Sequence, residues 1–388
     1  MEEEPKEPEN KKYKKKTIIH PFNLQIIQEN FPTKFPENGL EEITDVYQII
    51  RVLGFGASAT TVELRGKNSK KLAVKILPFN KLFAEELITL AKLNNLNKYT
   101  PIFNHNIGWT VCEYLPENWK NVITQDKLNK SYVRGFMESN KQGFFCFLLE
   151  MNEFSFRDNS IILEEHDVQC FAFFLLHGIA TARNLLGYFK HRDIHPGNIM
   201  FNLVHPPKNI TIQLSDKRYI TVKNVKYLPK LIDFGEARFT LEGKKDDVKE
   251  QSWEAFVGGG REYGPRNDIF RIKQCIYFLY AMNIRKEINK ELWEKSGVKF
   301  AKFTKSAEYK LAEKEERNEY KFLESLLDND YFAPIVEKNA AKNIAHSCII
   351  CSNEAKFEYN NGGNSYKFCS KMCEENSNYS LLKHLIKF

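Results

Sequence analysis

The chain has 388 residues, 42% of them hydrophobic and 28% charged, enough apolar material for a sizeable core and, by length, for two or three domains. That excludes disorder throughout. The 57 Lys and Arg against 50 Asp and Glu leave a formal charge of +7, spread thinly along the chain and giving no strong nucleic-acid signal.

Residues 1–40 begin with an acidic block, Glu2 to Glu4, and a lysine block, Lys11, Lys12 and Lys14 to Lys16. This composition cannot support a packed core and reads as a disordered charged tail. The lysine block leaves a nuclear address open beside the plainer reading of a solvated tail. The opening MEEEPKEPEN has no secretory character, and the longest apolar stretch, Cys170 to Ala182, is too short for a bilayer span. The expectation is an intracellular, cytoplasmic protein without a membrane segment.

From Val46 the pattern turns to β-rich runs, VYQIIRVL, TTVEL and KLAVKIL, which predict three successive antiparallel strands. A helix is predicted over 81–96, with Leu87, Leu90 and Leu93 on one stripe and Ile88 alongside. Strands are predicted around 107–114 and 144–151, and 115–142 reads as a polar, irregular insertion. After Asp158 the character becomes helical. DVQCFAFFLLHGIATARNLLGYF predicts a long central helix; strands follow at NITIQL, YITVKN and KLIDF, then helices over 268–283 and 307–327.

Four motifs carry chemistry. GFGASATTVEL, with Gly54 and Gly56, lies between two predicted strands, where glycines let backbone N–H groups approach a phosphate; an ordinary glycine hairpin is the alternative. In AVKIL, Lys75 sits within an apolar strand, where an ammonium needs an anionic partner such as Glu86 on the next helix or must snorkel from an edge. HRDIHPGNIMF supplies Asp193 and, five residues on, Asn198, and LIDFGEAR supplies Asp233. Phosphoryl transfer uses this set: one carboxylate to accept the nucleophile's proton, and an amide and a second carboxylate to hold magnesium.

In this order the motifs resemble those of the protein kinase superfamily, over roughly residues 46–338. The resemblance implies an α+β, two-lobed protein-kinase-like fold, with a small lobe over 46–151 and a large lobe over 152–338, and ATP and Mg2+ as cofactors. It implies that Gly54 and Gly56 cover the phosphates, Lys75 contacts them and Glu86 pairs with Lys75. Glu150 and Met151, after FFCFLL, match the segment that receives adenine, with Leu149 at its gate. Asp193 matches the catalytic base, and Asn198 and Asp233 match the magnesium ligands. NDIFRIKQCIYFLY resembles the large lobe's central helix, whose Asp268 would brace the HRD loop; a plain helix N-cap fits the residue equally well.

Departures from the family pattern bear on substrate. Ala59 replaces the loop's third glycine, and His195 stands where serine/threonine kinases carry a lysine. His195-Pro196-Gly197 is similar both to haspin-like kinases and to aminoglycoside and choline kinases. No Ala-Pro-Glu triplet follows Asp233-Phe234-Gly235; Gly258 to Arg266 occupies that region, and Thr240, Ser252 and Tyr263 are the hydroxyls between Asp233 and Asp268. With the Lys- and Asn-rich composition, the chain resembles the divergent kinases of large DNA viruses. The expectation is a serine/threonine protein kinase, with a small-molecule phosphotransferase or a pseudokinase scaffold as alternatives.

Residues 343–388 carry Cys348, Cys351, Cys369 and Cys373, two pairs on tight turns that suit tetrahedral thiolate coordination of Zn2+, with disulfides as the alternative. The pattern resembles the first half of MYND-type or FCS-type zinc fingers, implying a small C-terminal zinc-binding module that staples the fold or docks a protein partner. Asn361-Gly362-Gly363 is the turn signal between the pairs.

Overall fold

The computed structural model describes residues 40–55, 59–66, 69, 71–78, 81–97, 99–125, 143–156, 161, 163–186, 189–214, 218–239, 268–285, 290–313, 319–339, 357–361 and 364–368. It is a mixed α and β structure with antiparallel sheets. Contacts divide it into two compact units. The described residues within Asn30–Phe79 and Gly108–Leu148 form one, and those within Asn80–Ile107 and Leu149–Phe388 form the other.

In the first unit a short helix α1 (Glu41–Val46) leads into β1 (Tyr47–Phe55), β2 (Thr60–Gly66) and β3 (Lys71–Pro78). These pair antiparallel in sequence order. The next helix, α2 (Lys81–Asn94), belongs to the second unit, and β4 (Asn106–Cys112) and β5 (Phe144–Glu150) complete a sheet of order β1-β2-β3-β5-β4. Every residue of β4 is buried, Asn106 and Thr110 as well as Ile107, Trp109 and Val111, so the strand is covered on both faces. Its Trp109 ring lies 6.4 Å from Phe145 on β5.

Part of the expected irregular insertion is a helix, α3 (Glu117–Thr124), which packs against β1 with Trp119 and Ile123 fully buried. Its apolar residues are four apart, but eight residues are too few for the periodicity to stand out from a polar background.

In the second unit Leu87, Leu90 and Leu93 of α2 are buried as the stripe predicts, whereas Ile88 is 38% exposed. One residue rotates the side chain by about 100°, off the stripe. After the short β6 (Phe154–Ser155) comes α4 (Glu165–Leu186), buried continuously from Asp167 to Arg183 and packed against other helices and the second sheet. Burying each of its Leu and Phe side chains between Phe171 and Leu176 contributes about 1.5–3 kcal/mol. Gly178 is required at one such approach: a Cβ there would lie 2.2 Å from Ile102 Cδ1 and 2.7 Å from Thr100 Oγ1.

The chain then forms β7 (Phe189–Lys190), a long hairpin of β8 (Ile199–Gln213) and β9 (Tyr219–Leu231), and β10 (Arg238–Phe239). The strand expected at NITIQL starts ten residues earlier, at Ile199. Pro206 and Pro207 hid this, and the structure accommodates them with a register shift between Leu203 and Lys208. KLIDF leaves the strand after Leu231. Helices α5 (Asp268–Arg285) and α6 (Lys290–Phe303) follow, the second unforeseen, and 307–327 divides into α7 (Ala307–Glu313) and α8 (Glu319–Asp328). β11 (Val336–Asn339) pairs with β9, giving a sheet of order β11-β9-β8-β6. Finally β12 (Phe357–Asn361) and β13 (Asn364–Phe368) pair from Phe357↔Phe368 to Asn361↔Asn364, so the chain reverses at the predicted turn signal. No helix among the described residues is long and apolar enough to cross a membrane.

His177 is 1% exposed, stacks on Phe173 at 5.5 Å, and has no hydrogen-bond partner for Nε2 among the described residues. Burial depresses its pKa from 6.5 to about 4. Above pH 6.5 it is neutral folded or unfolded. As pH falls from 6.5 to 4 the unfolded chain takes a proton that the folded chain refuses, so stability is lost across that window, by about 3 kcal/mol in total. Thermal melts between pH 7 and 4 should therefore fall more steeply for the wild type than for His177→Phe. Parallel curves would remove His177 as the cause.

Candidate active site

The loop between β7 and β8 carries His191, Arg192, Asp193 and His195, and ends at Asn198 immediately before β8. Its shape is set from below by Asp268, the first residue of α5, which is fully buried. Asp268 Oδ2 accepts from the His191 amide at 2.8 Å and Oδ1 from the Arg192 amide at 3.0 Å, while Arg183 Nη2 lies 3.6 Å from Oδ2. Asp268 is thus a brace of the loop, which settles the two readings its sequence position allowed. Arg192 takes φ 69°, a left-handed conformation costly for a non-glycine residue that persists only where the surroundings hold it.

His191 is buried and ties two segments together. Its Nε2 faces Ile232 O at 3.2 Å, its Nδ1 accepts from the Asp193 amide at 3.4 Å, and its ring lies 4.9 Å from Phe234. With Nδ1 accepting, the proton sits on Nε2 and is donated to Ile232 O. Burial is the largest cause lowering the His191 pKa, against the pull of Asp268, Asp193 and Asp233.

Asn198 Nδ2 donates to Asp193 O at 3.0 Å and Asp193 Oδ2 at 2.9 Å. His195 Nδ1 accepts from the Gly197 amide at 2.9 Å, which places its proton on Nε2, and Nε2 lies 3.5 Å from Asp193 Oδ2. Burial alone would raise the Asp193 pKa. The hydrogen bond and charge of His195, with the charge of His191, outweigh it and hold the carboxyl below the usual aspartate value. Asp193 is therefore ionised at neutral pH and half-exposed at the loop surface.

Asp233 enters from the other strand of the hairpin. Ile199 pairs with Leu231, and the Ile232 amide donates to Asn198 O at 3.0 Å, so Asn198 and Asp233 leave the same end of β8 and β9. Asp233 has φ 61°, a second left-handed non-glycine residue in this region. A Cβ on Gly235 would lie 3.6 Å from Asp233 Oδ1 and 3.7 Å from Glu86 Oε2, so the buried Glu86 of α2 reaches the same turn.

The donors fit a hard cation. Asn198 spends its Nδ2 on Asp193 and keeps Oδ1, an oxygen ligand, while Asp233 supplies a carboxylate; magnesium takes such oxygens together with water and phosphate. Among the described residues no group of three or more His, Cys, Asp or Glu forms a closed metal cage. A magnesium here would complete its shell from phosphate and water.

Glu150, at the end of β5, sits in a polar cluster that the sequence did not reveal. His105 N donates to its Oε2 at 3.2 Å, Lys230 Nζ to the same oxygen at 3.0 Å, and Asn202 Nδ2 to Oε1 at 3.3 Å. Burial opposes its ionisation, but Lys230 and His105 overcome this and hold its carboxyl below the ordinary value. Met151 follows, half-buried. Asn104 Nδ2 donates to Glu150 O at 3.1 Å, while Asn94 and Asn106 exchange hydrogen bonds that tie the end of α2 to β4. The missed signal was Lys230, an ammonium at the start of the apolar run in KLIDF.

Of the other candidates, Gly54 lies exposed on β1 opposite Thr61, and Lys75 lies on β3 opposite the same threonine, both in the first unit. Gly56, Ala59's neighbours 57–58, Thr240 to Arg266, Cys348, Cys351, Cys369 and Cys373 fall outside the described residues, with Ala59 itself described. The structure thus gathers Asp193, Asn198, Asp233 and Glu86 within the second unit.

No family model matches the sequence, and no curated protein matches it. Among solved structures, a crystal structure of a kinase domain is similar at 18% identity and a TM-score of 0.32, over 52% of this chain and 54% of that one. The chain therefore spans about half the length of that kinase domain.

Proposed function

We propose that the chain is an ATP- and magnesium-dependent phosphotransferase of the protein kinase type, acting on serine or threonine hydroxyls of protein substrates. The observation that carries this is the loop 191–198: an ionised Asp193 on a strained, braced loop accepts a hydrogen bond from Asn198 Nδ2, which leaves Asn198 Oδ1 as an oxygen ligand for a cation, with Asp233 just past the end of the adjoining strand.

In the reaction, Asp193 accepts the proton of the attacking hydroxyl, and its position is fixed by Asn198 Nδ2 and His195 Nε2. Asn198 and Asp233 would hold magnesium, which supplies charge neutralisation at the transferring phosphoryl group. Lys75, with Glu86 as its partner, would hold the phosphates; Gly54 and Gly56 would cover them; Glu150 and Met151 would take the base. His195 presents its Nε2–H beside Asp193, so it can donate a hydrogen bond near the acceptor.

The cysteine pairs belong to the same reading as a zinc site. The motif spacing of Cys348 and Cys351 with Cys369 and Cys373 suits one four-thiolate ion serving as a staple or protein-docking module.

The test is transfer from γ-labelled ATP with magnesium to a mixed set of proteins, beside aminoglycosides and choline, followed by identification of the labelled residue. Label on serine or threonine is expected. Label confined to a small molecule would establish the other phosphotransferase class, and no magnesium-dependent transfer would leave the chain a scaffold.

A further inference from the structure

The β8/β9 hairpin carries more than the two proposed metal ligands at its base. A few residues farther along, its two strands grip the segment after β5. Lys230 Nζ and Asn202 Nδ2 take opposite oxygens of Glu150, at 3.0 and 3.3 Å. The Asn202 carboxamide is used on both sides, because its Oδ1 accepts from the Glu153 amide at 3.0 Å. The Leu203 amide in turn donates to Glu153 Oε2 at 3.0 Å, and Phe154 and Ser155 continue the pairing against Phe201 and Met200.

This grip is unlike a surface ion pair. Lys230 is 7% exposed, and an ammonium so far from water persists only with a well-placed anion. The second occupant of Glu150 Oε2 is a main-chain amide, that of His105, so the carboxylate is fixed by three elements at once. The His105 ring is neutral, since burial holds its pKa at about 4, and its Nδ1 lies 3.0 Å from Asn97 Nδ2.

One rigid hairpin therefore bears Asn198 and Asp233 at its base and holds Glu150 to Glu153 farther up. Four residues of strand separate Asn198 from Asn202, about 13 Å at the rise of an extended chain, a span on the scale of an extended nucleoside triphosphate. We propose that Lys230 and Asn202 are positioning residues that fix the base-receiving segment at a set distance from the metal-holding pair, so that the hairpin determines nucleotide affinity. This inference rests on the phosphotransferase reading.

The experiment measures KM and kcat for magnesium-ATP, and the affinity for a non-hydrolysable ATP analogue, in the full chain and in Lys230→Met, Lys230→Arg and Asn202→Ala. Lys230→Met should raise KM and weaken analogue binding about tenfold while kcat falls about threefold, and Lys230→Arg should recover most of the loss. Asn202→Ala, which removes hydrogen bonds but no charge, should weaken binding about threefold and decides the matter if Lys230→Met does not fold. Wild-type nucleotide affinity in the folded variants, or an equal fall of kcat without change in KM, overturns the proposal. A wild-type chain that binds no analogue and transfers no phosphate overturns instead the functional reading beneath it.

Discussion

Replacing Asp193 with Asn should reduce phosphate transfer by about 10²–10⁴-fold, the usual range for a lost general base, while leaving the fold and the KM for ATP nearly unchanged. The substitution is isosteric, and the new carboxamide can turn its oxygen toward Asn198 Nδ2, now 2.9 Å from Asp193 Oδ2. The braced loop therefore survives. What is lost is the negative charge and the basic oxygen. Because His195 and His191 together hold the Asp193 carboxyl below its ordinary value against the effect of burial, the base is already charged well under neutral pH. The wild-type rate should accordingly show no loss from Asp193 until the medium is more acidic than the usual carboxylate range. Residual transfer within tenfold of wild type would remove Asp193 from the chemistry. An unchanged magnesium-dependent ATP turnover in both Asp193→Asn and Asp233→Ala would point to a scaffold.

How much of this was legible in the sequence depends on the range over which each feature is encoded. Asp193 and Asn198 are five residues apart, and their hydrogen bond is a property of one short loop, so spacing was enough to bring them forward together. Strands β1 to β3 and helices α2 and α4 followed from periodicity because each buries one continuous face or an entire apolar run. Helix α6 did not: its buried residues Trp293, Ser296, Phe300 and Phe303 mix a polar residue into the stripe, and Ser296 is buried because its hydroxyl meets Tyr280 at 3.0 Å. The grip of Lys230 and Asn202 on Glu150 joins residues 80 and 52 positions apart. It depends on strand register, which no local pattern states. Ile199 to Val204 was obscured for a related reason, since the two prolines after it interrupt the pattern while the strand continues past them through a shift in pairing.

Asp268 carries the largest expected effect on stability. Its place at the start of a helix allowed a plain N-cap as well as the brace of the HRD loop that the resemblance implied, and the fold brings it to residues 77 and 76 positions earlier. Asp268→Ala leaves two buried main-chain amides without acceptors, each costing about 1–3 kcal/mol, and leaves the Arg183 guanidinium, 3.6 Å away and 7% exposed, without its carboxylate. Removing one partner of a buried ion pair costs about 3–5 kcal/mol in its own right. These penalties overlap, but a total on the order of 5 kcal/mol is a large share of the 5–15 kcal/mol that holds a typical domain together. The expected result is a chain that is insoluble or melts far below wild type. Asp268→Asn retains one acceptor oxygen and should lose about half as much, because its Nδ2 must then confront an amide N–H. In that milder variant hydrogen exchange should accelerate first at His191 and Arg192, since the left-handed conformation of Arg192 has lost what held it. Transfer activity should fall further than the melt does, as Asp193 rides on the same loop. An unfolding free energy from denaturant titration of Asp268→Ala within about 1 kcal/mol of wild type, well below the penalties of an orphaned charge and two orphaned amides, would show that the loop holds its shape without the brace.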